Sequence, residues 1–359
     1  MGKEIEEELK IEPDESDEDE ASVEYDIATY PSDFTLSGIW DKWKAKDINI
    51  PDFQREFVWS IKQSSLLIDS FLLGLPVPPV FFYIDEENKN LVIDGHQRIL
   101  SIVFFFEGYF GSESLKGKRQ VFRLTGLDEN NPYHKKTFAE LDESDQRKLK
   151  DAVLRAINVR QLAPEGERTS IYYIFERLNT GGTPLKPQEI RNCVYRGNIV
   201  DELRELNKDE NWRKILGKTS YDKHQKDIEL VLRVFALSRP SSEYEKPMKE
   251  FLNKAMSQNR KASSNEFKQF QNRFSKTAEV IVEKLGEKPF HVRGPLNTSV
   301  LDSVFCTILS NINHLPDDLK VRFEKLLNDS EFDDCTKTAT TDTKILHTRF
   351  DKAKSCLIE

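Results

Sequence analysis

The chain reads as an α+β protein, a mixed α/β domain followed by a mostly α-helical one, on three observations. Two apolar runs, Val80–Ile84 and Asn90–Ile93, flank the polar stretch Glu86–Lys89, as in a β-hairpin. The sharp dipeptide Asp94-Gly95 then leads into Ile99–Phe106, apolar on nearly every side, as in a helix buried within a domain. Beyond about Pro187 the spacing of apolar residues is almost wholly helical. At 359 residues the chain has room for two domains of roughly 100–200 residues each.

In chain order, residues 1–20 hold eleven acidic and two basic residues, which accounts for the whole net charge of −9. The remainder is neutral overall, so bulk charge does not exclude a local basic surface. With few large apolar groups, residues 1–25 cannot offset their ordering entropy and are expected to be a disordered, solubilising acidic tail. Order is expected from near Tyr30, where Phe34, Leu36, Ile39, Trp40 and Trp43 give a short helical stripe with the tryptophans in the core. The strand-like Ile48-Asn49-Ile50 follows. Ser60 and Gln63 have the form of a capping box before the apolar run Leu66–Leu73, which Gly74 and Pro76 stop. Further strands are expected at Val121–Leu124 and Ala156–Leu162, and a helix at Ser170–Leu178. The expected division is a tail at 1–25, a mixed domain at 26–196 and a helical domain at 197–359.

Several function classes are excluded. Mean hydropathy is −0.60, and no apolar run approaches the roughly 18 residues that would span a bilayer. The N-terminus lacks signal-peptide features, and the four cysteines show no C-x-x-C spacing, which fits a reducing cytoplasm. Gly111…Gly117-Lys118 and Gly217-Lys218-Thr219 both fail as P-loops. No pair of histidines has helical metal-ligand spacing. His314, Asn328 and His347 have the wrong spacing for an HNH nuclease, and Val321–Leu327 reads as a helix where such a nuclease needs a hairpin.

Three clusters remain: Ile50–Trp59 with Gln54-Arg55, Asp94-Gly95-His96-Gln97-Arg98, and Phe175–Gly182 with Asn179 and Gly181, continuing to Gln188–Asn192 with Arg191. In the second, Gly95 permits a tight strand-to-helix turn that leaves the amides of residues 96–98 unsatisfied at a helix start, where an anion is favoured. Arg98 adds a forked donor suited to phosphate. Asp94 is suited to hold a metal ion or orient water, and His96 to move a proton near neutral pH. The residues alone equally allow a plain Asp-Gly turn with Arg98 on a surface acid, an exposed Gln54-Arg55 pair, a helix stop at Asn179–Gly182, and Glu189 and Arg191 on a helix surface.

Taken jointly and in order, the clusters resemble the N-terminal domain family of GmrSD-type modification-dependent restriction systems, of the ParB/sulfiredoxin-like superfamily, over about Ile39–Arg196. The resemblance implies a ParB/sulfiredoxin-like domain that binds a nucleoside triphosphate and couples hydrolysis to defence against foreign DNA. The family's D-G-Q-Q-R box falls on Asp94, Gly95, His96, Gln97 and Arg98, with His96 in place of the central Gln. The expectation is then an NTP-dependent hydrolase or switch of unspecified base preference. Asp94, His96, Gln97 and Arg98 carry the chemistry; Gln54, Arg55, Gly95, Arg98, Asn179, Gly181 and Arg191 hold nucleotide and phosphate; Asp94 takes Mg²⁺. The rival is a non-catalytic DNA- or partner-binding module, and a third reading is a domain that nicks DNA itself. DNA and a separate nuclease or effector subunit are the partners such a protein implies.

Overall fold

The computed structural model describes residues 8–12, 25–50, 57–85, 87–111, 119–163, 170–178, 186–239 and 243–359. The chain divides into two compact units. One comprises residues 25–166 and 173–184, and the other residues 1–24, 167–172 and 185–359.

The first unit is the mixed one. Its elements run β1 (Asp26–Thr35), α1 (Leu36–Lys44), β2 (Ile48–Asn49), α2 (Ile61–Leu73), β3 (Val80–Ile84), β4 (Asn90–Asp94), α3 (His96–Glu107), β5 (Tyr109–Phe110), β6 (Gln120–Val121), α4 (Glu143–Asp151), β7 (Val153–Ala163) and α5 (Ser170–Leu178), whose first turn groups with the second unit. Five strands form one mixed sheet in the order β1-β7-β3-β4-β2. β3 pairs with β4 antiparallel, as a hairpin must, whereas β7 lies parallel to β3 and β2 parallel to β4.

The hairpin, the helix after Asp94-Gly95 and β7 stand where the sequence places them. So does α2: the Ser60 amide donates to Gln63 Oε1 at 2.9 Å and the Gln63 amide to Ser60 Oγ at 3.3 Å. Gly74 closes that helix in the left-handed region at φ 73°. Two expectations need correction. The first strand begins at Asp26 rather than near Tyr30, because β1 pairs antiparallel with β7 along its whole length. As an edge strand it is largely exposed and tolerates Pro31, so no apolar alternation marks it. Of Val121–Leu124, only Val121 is in a strand. Phe122 and Leu124 are fully buried in irregular chain, and the Leu124 backbone pairs with Lys135 and Lys136.

α3 runs through the core. Phe105 packs edge-on against Phe122, Phe106 against Phe138, and Phe104 against Phe57 with ring centroids 5.0 Å apart. Trp40 stacks on Phe106 at 5.4 Å. α2 crosses α3 through buried Ser64 and Ser101, whose hydroxyls lie 2.8 Å apart.

The second unit contains α6 (Pro187–Val194), α7 (Asn198–Asn207), α8 (Glu210–Leu216), α9 (Lys226–Leu237), α10 (Met248–Gln258), α11 (Asn265–Leu285), α12 (Thr298–Ser310), α13 (Leu319–Leu327), α14 (Ser330–Cys335) and α15 (Thr343–Leu357). α6 therefore groups with the helical unit, whose contacts begin before residue 197. Trp212, Phe274 and Phe305 form its aromatic centre. A buried ionic cluster crosses it, with Arg233 Nε 2.6 Å from Asp302 Oδ2 and Arg349 3.9 Å away. Residues 319–327 are a helix and His347 lies within α15, so this stretch has no ββα-metal hairpin. Gly217 caps the C-terminal end of α8, the reverse of a phosphate-loop glycine.

The expectation of a disordered tail is overturned for residues 8–12. Leu9 is only 3% exposed, and its amide donates to Asp222 Oδ2 at 2.6 Å. Residues 1–7 and 13–24 lie outside the described part of the chain.

Candidate anion-binding site at the start of α3

β4 ends at Asp94 and the chain turns through Gly95 at φ 96°, ψ 14° into α3. A side chain is excluded there twice over. The left-handed angle disfavours L residues, and an added Cβ would lie 2.4 Å from Val80 Cγ1 and 3.0 Å from an Arg98 nitrogen. Glycine thus lets α3 start hard against β3. No side-chain hydrogen bond caps this helix start, where the helix dipole favours a negative charge.

Arg98 reaches back from the first turn. One guanidinium nitrogen donates to the Pro79 carbonyl at 3.1 Å and to Asp94 Oδ2 at 2.8 Å. The Arg98 side chain is 17% exposed and that of Asp94 51%. Arg98 Nε is buried without a partner among the described residues. The guanidinium is therefore fixed by the carbonyl just before β3 and the last carboxylate of β4.

Gln97 faces the protein. Its Oε1 accepts from the amides of both Val58 and Trp59 at 3.1 Å, and its Nε2 lies 2.8 Å from His96 Nε2. Burial holds the His96 imidazole below its usual pKa, with Arg98 adding to the effect and Asp94 opposing it. Gln97 thereby pins the segment that follows Gln54-Arg55. Gln54 and Arg55 themselves lie outside the described residues, as do Asn179 and Gly181. The flanks of the first pair are placed: Ile50 follows β2, which runs parallel to β4, and Phe57 is anchored on Phe104 and Phe110.

Arg191 stands apart from this group and is not on a helix surface. It is 1% exposed within the helical unit, with Nε on Asn253 Oδ1 at 2.9 Å and Nη1 on Glu229 Oε2 at 2.8 Å and Gln188 Oε1 at 3.3 Å. Its guanidinium lies over Tyr172 at 5.5 Å. Such a satisfied, buried cation organises the helical unit, and nothing in its surroundings directs it to a phosphate. The structure thus brings together Asp94, Gly95, His96, Gln97 and Arg98. It adds three groups that the sequence does not point to: the Pro79 carbonyl and the Val58 and Trp59 amides. Main-chain groups carry no residue-type signal, and their pairing depends on contacts 19 and 39 positions apart.

Among the described residues no three His, Cys, Asp or Glu side chains cluster as a metal cage. Asp94 alone fits a Mg²⁺ that arrives with a polyphosphate, since that ion is commonly held by one or two carboxylates plus substrate oxygens. Among the described residues no helix is long and apolar enough to cross a membrane.

A glycine bend, a helix start without a side-chain cap and a part-buried arginine thus stand together at the end of a mixed sheet in an α/β domain. Residues 36–196 match the family described as GmrSD restriction endonuclease, N-terminal domain. No curated protein matches the chain.

Proposed function

We propose that the mixed unit is a nucleoside-triphosphate-dependent hydrolase or switch serving a DNA restriction or anti-phage defence system. The observation that carries this reading is the Arg98 guanidinium held beside the Gly95 bend at the start of α3, between the Pro79 carbonyl and Asp94. Phosphoryl transfer draws most of its rate from placement and charge neutralisation, which are the two things this arrangement supplies. Arg98 and the positive end of α3 hold the phosphates. Asp94 would hold a Mg²⁺ that accompanies the triphosphate, and such an ion would neutralise developing charge. Gln97 acts through the main chain, holding the Val58 and Trp59 amides. A separate nuclease or effector subunit is the partner this reading implies for DNA cutting.

The test is a panel of the four nucleoside triphosphates, measuring binding and phosphate release with and without DNA. Wild type releases phosphate, and Arg98→Ala lowers turnover by a factor on the order of 10² or more with an unchanged circular-dichroism spectrum. Equal hydrolysis by both proteins overturns the proposal. DNA binding that falls steeply with salt, without any phosphate release, replaces it with the non-catalytic reading.

A further inference from the structure

Residues 8–12 lie as an extended segment on the helical unit, and the way they are held is that of a bound peptide. Main-chain groups are read directly: the Glu12 amide donates to the Leu296 carbonyl at 2.9 Å and the Leu296 amide to the Lys10 carbonyl at 3.2 Å, a parallel β-bridge centred on Ile11. Leu9 is the fully sequestered side chain. Charges bracket it. Lys226 lies 2.8 Å from Glu8, and Lys218 donates to the Glu8 carbonyl at 2.6 Å. At the other end Arg293 lies 3.0 Å from Glu12, which also accepts from Asn297. The segment does not fill its bed: a cavity of about 780 Å³ remains beside it, lined in part by Leu216, Gly217, Lys218, His291 and Pro295.

We infer that this groove is a docking site for an extended, acidic segment of a partner protein, and that Glu8–Glu12 is a detachable occupant held there in cis. The chemistry specifies the partner. It carries an acid, a leucine in the next position and a second acid three residues further on, presented as a strand to Leu296. Detachment breaks one apolar contact, one bridge and a few polar contacts, namely the Leu9 amide on Asp222, Glu8 on Lys218 and Lys226, and Glu12 on Arg293 and Asn297, and the unfilled bed leaves room for a bulkier competitor. The inference is independent of the nucleotide site.

The test titrates a fluorescent peptide spanning residues 5–15 into the full-length wild type and into the full-length variant Leu9→Ser/Glu12→Arg, which loses the anchor and repels Arg293. The variant captures the peptide, and the wild type does so at least tenfold more weakly, because its own segment competes at an effective concentration on the order of mM. Adding Lys226→Glu to the variant weakens capture, and a peptide carrying Glu8→Lys restores it. Equal capture by wild type and variant, or indifference to the charge exchange, overturns the inference. Concentration-dependent self-association of the wild type also overturns it, since a second copy's segment is then the occupant. A readout on unaltered protein stands beside these: the amides of Leu9, Glu12 and Leu296 exchange with deuterium well before those of α12. Exchange as slow as α12 rejects a detachable segment.

Discussion

Gln97 presents its amide nitrogen to His96 Nε2 at 2.8 Å while its oxygen is held by the amides of Val58 and Trp59. Two N–H donors fix which end of the Gln97 amide is oxygen. Its nitrogen must therefore donate, and His96 Nε2 must accept, which makes His96 a neutral imidazole protonated at Nδ1. The histidine that stands where the family box has glutamine works here as an acceptor that locks its neighbour.

A pH dependence follows from that tautomer. Burial lowers the His96 pKa in the folded protein, so below the usual imidazole value the unfolded chain binds a proton that the folded one refuses. Stability then rises with pH across the window between the folded and unfolded values. His291 shifts in the same direction, so His96→Gln should remove only part of the slope. Denaturant titrations at a series of pH values check this, and nitrogen NMR of His96 at neutral pH should show an unprotonated Nε2. A His96 that titrates at or above the ordinary value contradicts the assignment.

Gln97→Ala should leave the Val58 and Trp59 amides without their acceptor. The expected cost is about 1–3 kcal/mol in stability, with the loss of hydrogen-exchange protection confined to residues 57–59. In nucleotide-binding assays the same variant should weaken affinity without abolishing it, the pattern of a positioning residue. Full retention of protection at Val58 and Trp59 would show that other contacts hold the segment.

Gly95→Ala combines backbone strain with the contact to Val80. The expected destabilisation is about 1–3 kcal/mol from the left-handed angle alone, and more with the clash. Val80→Ala added to it should recover the clash component only. If the double variant is no more stable than the single one after the separate cost of Val80→Ala is subtracted, the close approach of α3 to β3 is not what selects glycine.

How much of this was legible beforehand depends on the kind of signal each feature leaves. The hairpin, α2 with its capping box and the glycine bend depend on neighbours within a few positions, so periodicity and turn chemistry reveal them. β1 is missed because an exposed edge strand needs no apolar alternation. Phe122 and Leu124 mislead because burial in irregular chain copies a strand's pattern. At the site, Gly95 and Arg98 are readable as chemistry, whereas the inward turn of Gln97 depends on a partner 39 positions away. Arg191 looked equally suited to a phosphate or to a helix surface. Its actual partners, Asn253 and Glu229, belong to helices whose packing no local rule encodes.

Asp302→Ala should be among the most damaging single changes in the helical unit. It strips the carboxylate from buried Arg233 and Arg349, and removing one partner of a buried ion pair costs about 3–5 kcal/mol. Thermal denaturation is the measurement. A melting temperature within a degree or two of wild type would mean that the arginines find other acceptors.

The bridge at Ile11 also sets an order of events during synthesis. Asn297, on which Glu12 settles, lies 285 positions later in the chain. At roughly 5–20 residues per second the leading segment leaves the ribosome about 15–60 s before its bed exists. The helical unit draws on segments to either side of the mixed domain in the chain, so a product that stops before Leu296 carries the strand but nowhere to lay it.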